Sequence, residues 1–361
     1  MNTRRLEDEV DGYRRTGRNR ELDAPYKHLN AILKYWAMKP SLYVGNEDWL
    51  KAIDEITRNE GWQSNVTMAI EDLIKDVFDG KGFHDFSLLA GNVELIDMQA
   101  IQAARANFSQ PSRPYPPPIK DIFRPSFKQR DGRPKLLYRP LLHIPHGHNA
   151  ALLTIPTNHW SDPVGTAFTS MLNTVCDGQF FAALRTKQQL GYAVQSRSSD
   201  IHGHYHMAFL VQTEKLNGTA TLSRIEEWVS SWVVDGLGEA DEYIEIDGEE
   251  ETRTPFGDHF EQIKSALIEE YESKYPSLSA KTSRQVSNLL WSPENMKLDQ
   301  ERTDALKAMT RQDFRELLNK YFGAKEDWRA VIVEGMEGLT AEEVSLEGWS
   351  VIDYADLDGG K

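Results

Sequence analysis

Five prolines in eleven residues, Pro111, Pro114, Pro116, Pro117 and Pro118 in the run SQPSRPYPPPI over 109–119, bar that stretch from helix and from the middle of a sheet. Each ring fixes φ and removes a backbone donor, so the segment is expected to be extended and semi-rigid. In a chain of 361 residues, such a barrier marks a domain boundary. The expected division is a polar N-terminal segment over 1–24, an α+β unit over 25–110, a Pro-rich linker over 111–137, a larger α+β domain over 138–335 and a C-terminal tail over 336–361.

Residues 1–23 are polar and read as frayed. The first helical periodicity falls on Leu29, Ile32, Leu33 and Trp36, and a second on Val66, Ile70, Leu73, Ile74 and Val77, which reads as a core face. FSLLA at 86–90 reads as a strand, Gly91-Asn92 as a turn and VELIDMQAIQAARANF as a helix.

Beyond the linker, RPLLHIPHGHNAALLTIPTN predicts two strands turning at residues 146–149. Asp162 and Pro163 then predict the cap and first turn of a helix running toward Leu190. GYAVQSRSS and HYHMAFLVQTE predict a hairpin turning through residues 200–203. Leu222, Ile225, Trp228, Val229, Trp232 and Val233 predict the packed face of a helix. Residues 236–251, GLGEADEYIEIDGEEE, are half acidic and read as a solvated loop. FEQIKSALIEEYESK, SLSAKTSRQVSNLLW and TRQDFRELLNKYF follow with helical spacing, and RAVIVEG closes as a strand. The order from 138 onward is ββ, α, ββ, α, α, α, β, which predicts an α+β fold with a β-sheet layered by helices on one side.

Charge and cysteine content narrow the function. With 41 Lys+Arg against 56 Asp+Glu the net charge is -15, which disfavours nucleic acid and anionic membranes as partners. The single Cys176 cannot form an internal disulfide, and the first residues mix acids with bases and lack an apolar core. A cytoplasmic location is the expectation.

Familiar catalytic cradles are missing. There is no HExxH, HxxEH, GxSxG, GxGxxG or GxxxxGK[ST], and Cys176 falls inside an apolar helical pattern. Six of the ten histidines cluster in HIPHGH and HGHYH. On a strand His204 and His206 share a face, so they and His148 form the one weak candidate for a metal site, against a simple polar sheet face as the plainer reading. Arg185 and Tyr192, in FAALRTKQQLGYAVQSRSS, straddle a predicted helix end, a turn and a strand start. Taken alone, the Arg complements a helix dipole and the Tyr caps a core.

LRTKQQLGYAV nevertheless resembles the signature of the C-terminal half of the insulinase/pitrilysin family of zinc metallopeptidases, in which a similar run is followed by a Q-S-E strand end, here FLVQTEK. SLLAGNV is similar to the strand and turn that close the third of that family's four homologous α+β domains, and HNAALLTIPTN to the hairpin that opens the fourth. AKTSRQVSNLL and MTRQDFRELLNKYF are similar to its late helices. The resemblance makes 138–335 fourth-domain-like and 25–110 a partial third-domain-like unit. The implied fold is that of the family's non-catalytic LuxS/mitochondrial-processing-peptidase-like domains.

The resemblance also implies a function. In the family an HxxEH-bearing N-terminal half holds zinc, and the C-terminal half closes over it to form a chamber for unfolded peptides. An Arg and a Tyr at the positions of Arg185 and Tyr192 contact substrate there. This chain is thus expected to bind no cofactor itself, to be inactive alone, and to take a catalytic half and unfolded peptides as partners. A face left without its half would also favour self-association. The acidic loop and HGHYH depart from the family pattern. A peptide-binding or scaffold protein without proteolysis is the alternative.

Overall fold

The computed structural model describes residues 3–21, 24–38, 46–78, 135–138, 148–247, 250–273, 277–292, 295, 297–323, 325–334 and 349–352. The expected strand at 86–90, its turn and following helix, and the Pro-rich linker through residue 134 lie outside the described residues, as do His143 and His146.

Strand β1 spans Lys135–Tyr138 and β2 spans Asn149–His159. In β2, Ala150 and Leu152 face one way and Ala151, Leu153 and Ile155 the other, all buried, as in a strand covered on both faces. Helix α5 (Pro163–Phe181) begins as the sequence predicts, with Asp162 Oδ1 accepting from the Gly165 amide at 3.0 Å and Pro163 in the first turn. The expected hairpin is β3 (Ala193–Ile201) and β4 (His204–Thr213). Its loop is only two residues, His202 and Gly203, with φ of 48° and 79°, the left-handed pair that matches the twist of paired strands.

Helix α6 (Gly218–Trp228) passes without a break into a wide π-helical stretch over Val229–Ala240. All six apolar residues expected on its packed face are buried. Residues 236–251 are not a solvated loop. Gly236, Leu237 and Gly238 are buried at the helix end, and β5 (Glu242–Asp247) pairs with β6 (Glu250–Pro255) in a separate two-stranded ribbon. The ribbon is pinned because the Trp232 indole donates to the Ile244 carbonyl at 2.8 Å, and Ile244 itself is buried. Glu245, Asp247, Glu250 and Glu251 are exposed, so acidic composition masked the alternation about buried Ile244.

Helices α7 (Phe256–Glu272), α8 (Leu278–Trp291), α9 (Leu298–Ala308) and α10 (Arg311–Phe322) lead to β7 (Arg329–Val333) and then β8 (Trp349–Ile352). Helix α9 was not anticipated. The sheet order is β3-β4-β2-β7-β1-β8, with β1 parallel to both β7 and β8 and the other pairs antiparallel. The sequence 336–361 is therefore not wholly a tail, since residues 349–352 complete the sheet.

One face of this sheet packs Phe168, Phe180, Trp228, Phe256, Phe314 and their neighbours into the main core. Contrary to the one-sided expectation, the other face is covered by α2 (Pro25–Ala37), whose Leu29, Leu33 and Trp36 meet Ala150, Leu152, Ala208, Leu210, Val331 and Val333. Each of those large α2 side chains contributes about 1.5–3 kcal/mol by burial. Residues 25–37 thus belong with the sheet rather than with a unit over 25–110. A second unit comprises the helices at residues 3–20, 46–78 and 278–287. Within it, the N-terminal segment forms helix α1 (Thr3–Glu21) instead of fraying, because Arg14 reaches Asp54 at 3.0 Å and Thr57 at 2.8 Å on α3 (Asn46–Thr57). The stripe of α4 (Trp62–Phe78) is not a core face: Leu73 and Ile74 are 55% and 49% exposed. Periodicity shows which residues share a face and not what covers them.

Candidate functional site

The site grows from the end of α5. Over Ala182–Lys187 the helix widens to π-helical geometry, and the Gln188 amide reaches back to the Ala183 carbonyl at 3.0 Å. Such widened turns recur at functional sites. Ala183, Leu184 and Leu190 are buried and anchor both sides of the turn, so Arg185 to Gln189 are held on the outside. The reversal begins at Gln189, with φ of 49°.

Gly191 serves another purpose. A Cβ there would sit 1.8 Å from the Gln212 carbonyl oxygen, so only glycine lets the turn lie against the end of β4. Two side chains tie the same turn. The Arg185 Nη1 donates to the Gly191 carbonyl, and the Thr213 hydroxyl donates to the Leu190 carbonyl while accepting the Lys215 amide at 2.9 Å. Buried Gln212 accepts the Tyr26 amide at 3.1 Å through its side chain, supplying the N-terminal cap that α2 otherwise lacks.

These elements enclose a cleft of about 630 Å³ lined by Phe181, Arg185, Leu190, Tyr192, Thr213 and Lys215 among others. Arg185 and Tyr192 therefore share one concave surface, with the guanidinium carbon 6.0 Å from the phenol ring centroid. Tyr192 is 76% exposed and so does not cap a core. No carboxylate of the described residues lies within 4.0 Å of the Arg185 guanidinium, whereas neighbouring Lys187 meets Glu251 of β6 at 2.6 Å. Arg185 thus keeps donors available to a ligand, and an exposed phenol stands beside it. The sequence named both residues but gave no sign of the other walls, because Thr213 and Lys215 come from across the hairpin.

The weak histidine set does not assemble. His148 lies at the cleft, where its Nδ1 meets Glu214 at 3.1 Å. His204 pairs with His159 at the far end of β2, on the order of 30 Å of strand away. His204 and His206 do share a face, but His206 is buried and its ring bonds the His204 carbonyl at 2.9 Å. Burial pushes the His206 imidazole down to about 4, and burial with neighbouring His159 and His202 does the same to His204. Among the described residues no group of three or more His, Cys, Asp or Glu is arranged to hold a metal. Cys176 is buried and its thiol is pushed well above the ordinary range, so it is not a nucleophile.

By fold the chain is similar to M16-like peptidases, and part of it to the C-terminal lobe of the PqqF-like members. Residues 171–243 match the family model "PQQ synthase PqqF-like, C-terminal lobe domain 4". An M16-like peptidase from Alicyclobacillus acidocaldarius shares the fold with a TM-score of 0.55 at 11% identity, over 93% of this chain and 71% of that one. The peptidase M16 inactive domain from Pseudomonas fluorescens has a TM-score of 0.46 at 14% identity, over 68% and 53%. Pitrilysin has a TM-score of 0.46 at 19% identity, over 61% and 22%. The chain thus spans about half of the Pseudomonas structure and about a fifth of pitrilysin. Comparison by sequence with curated proteins gives no match. Of the runs that carry the resemblance to the C-terminal half of insulinase/pitrilysin peptidases, LRTKQQLGYAV and FLVQTEK fall within the matched segment and the others outside it.

Proposed function

We propose that this chain is a peptidase-derived, non-catalytic half that contributes a substrate-contacting wall to a peptide-degrading chamber and depends on an HxxEH-bearing half for proteolysis. The observation that carries the reading is the shared cleft, in which Arg185 and exposed Tyr192 stand together and no carboxylate of the described residues lies within 4.0 Å of the guanidinium. An Arg fork and a phenol can both bind a peptide carbonyl, and the same donors stabilise an oxyanion forming on that carbonyl. Zinc and the attacking water belong to the other half on this reading. Reducing surroundings such as the cytoplasm fit a chain with one cysteine.

The test is zinc analysis with peptidase assays on the chain alone and mixed with an HxxEH-bearing partner chain. The expected result is no cleavage alone and turnover in the mixture that falls in Arg185→Ala. Zinc-dependent cleavage by the chain alone would overturn the reading, and so would a mixture indifferent to Arg185→Ala.

A further inference from the structure

The cleft holds a second cation that the Arg185–Tyr192 pair does not explain. Lys215 lines it from the segment after β4, and no carboxylate of the described residues lies within 4.0 Å of its ammonium. Its backbone is fixed to the same turn as Arg185. The Thr213 hydroxyl accepts the Lys215 amide and donates to the Leu190 carbonyl, while Arg185 holds the next carbonyl, that of Gly191. The Arg185 side chain and, through the Thr213 hydroxyl, the Lys215 backbone are thus tied to two consecutive carbonyl groups.

One carboxylate shares the cleft. Glu214, the carboxylate of the cleft, meets His148 at 3.1 Å, and Lys187 outside it meets Glu251 at 2.6 Å. Two cations, Arg185 and Lys215, against one carboxylate, Glu214, leave this concave surface locally positive in a chain of net charge -15, which favours an incoming anion. Exposed Phe181 and Tyr192 flank the site with apolar surface. A free phosphate would leave those rings unused, whereas a peptide offers a backbone, apolar side chains and a carboxylate together.

We infer that the cleft selects peptides bearing a carboxylate, either the C-terminal group or an Asp or Glu side chain, with Lys215 as the specificity residue and Arg185 shared between that carboxylate and a peptide carbonyl. This inference rests on reading the cleft as a peptide site.

The experiment titrates the full chain with three labelled unstructured peptides at low salt. One is amidated and free of acidic residues, the second has the same sequence with a free C-terminus, and the third is amidated with one internal Gln replaced by Glu. At least one acid-bearing peptide should bind about fivefold more tightly than the neutral one, as expected of an exposed charge pair, with the margin shrinking as salt rises. Whichever of the two gains identifies the source of the carboxylate. Lys215→Gln should bring the ratio toward one, while Lys320→Gln, the same charge change on exposed α10, should keep it. Equal binding of all three peptides by the wild type overturns the selectivity and leaves the peptide site standing. A ratio unchanged in Lys215→Gln removes that residue from the role. Binding of none of the three overturns both the inference and the site.

Discussion

Replacing Gly191 with Ala attacks the cleft at the one atom the fold leaves no room for. The added methyl would lie 1.8 Å from the Gln212 carbonyl oxygen and 2.8 Å from its carbon, both backbone, so no side chain can swing aside. Restoring ordinary contact requires the turn and the end of β4 to separate by at least about 1 Å. Overpacking of this kind costs about 1–3 kcal/mol. The separation also stretches the bonds from Thr213 to Leu190 and from Arg185 to Gly191, each contributing about 0.5–1.5 kcal/mol. A total loss of about 2–4 kcal/mol is expected, read as a lower urea midpoint at unchanged slope. Peptide affinity should fall with it. Gly178→Ala is the control, since a Cβ there meets nothing within 4 Å on an exposed turn of α5, and Ala should match or slightly raise stability. Gly191→Ala unfolding together with the wild type would refute the close-approach argument.

Two further predictions come from single side chains. His206 is neutral in the folded protein, with its value pushed from 6.5 to about 4 by burial, so as pH falls the unfolded chain takes the proton first. The stability it allows is complete above about 6.5 and declines by about 3 kcal/mol as pH falls to about 4. In His206→Gln the urea midpoint should fall less steeply over that window, and parallel curves for variant and wild type would contradict the burial argument. Tyr192→Phe should leave the melting temperature unchanged, since the ring is 76% exposed, while weakening peptide binding about two- to tenfold. Lost stability with unaltered peptide binding would assign the hydroxyl to the fold.

Local rules were legible in the sequence where one residue decides one geometry. Asp162 and Pro163 announced α5, and the spacing of Leu222 through Val233 announced the buried face of α6 and its continuation. Apart from the missed α9, the misreadings concern what lies opposite. The acids of 242–251 concealed a ribbon because Ile244 finds Trp232, a partner given by tertiary packing rather than neighbours. The helical stripe at Leu73 and Ile74 was visible, but its exposure was not. Arg185 and Tyr192 were named through a resemblance, and the fold brings them to one cleft. Lys215 and Thr213 were not, because a hydroxyl that bridges two backbone segments leaves no periodic trace. The close approach at Gly191 was hidden too, because the Gln212 carbonyl it lies against comes from across the hairpin.

The central claim is that Arg185 is held at the end of a widened helix turn for a ligand. The most direct measurement is the affinity of the full chain for an unstructured peptide, compared with Arg185→Ala at equal melting temperature. The account predicts saturable binding that weakens by about tenfold in the variant, the loss expected for a charge-assisted bond to a peptide carbonyl. Equal affinities, or a wild type that binds no peptide, would contradict it.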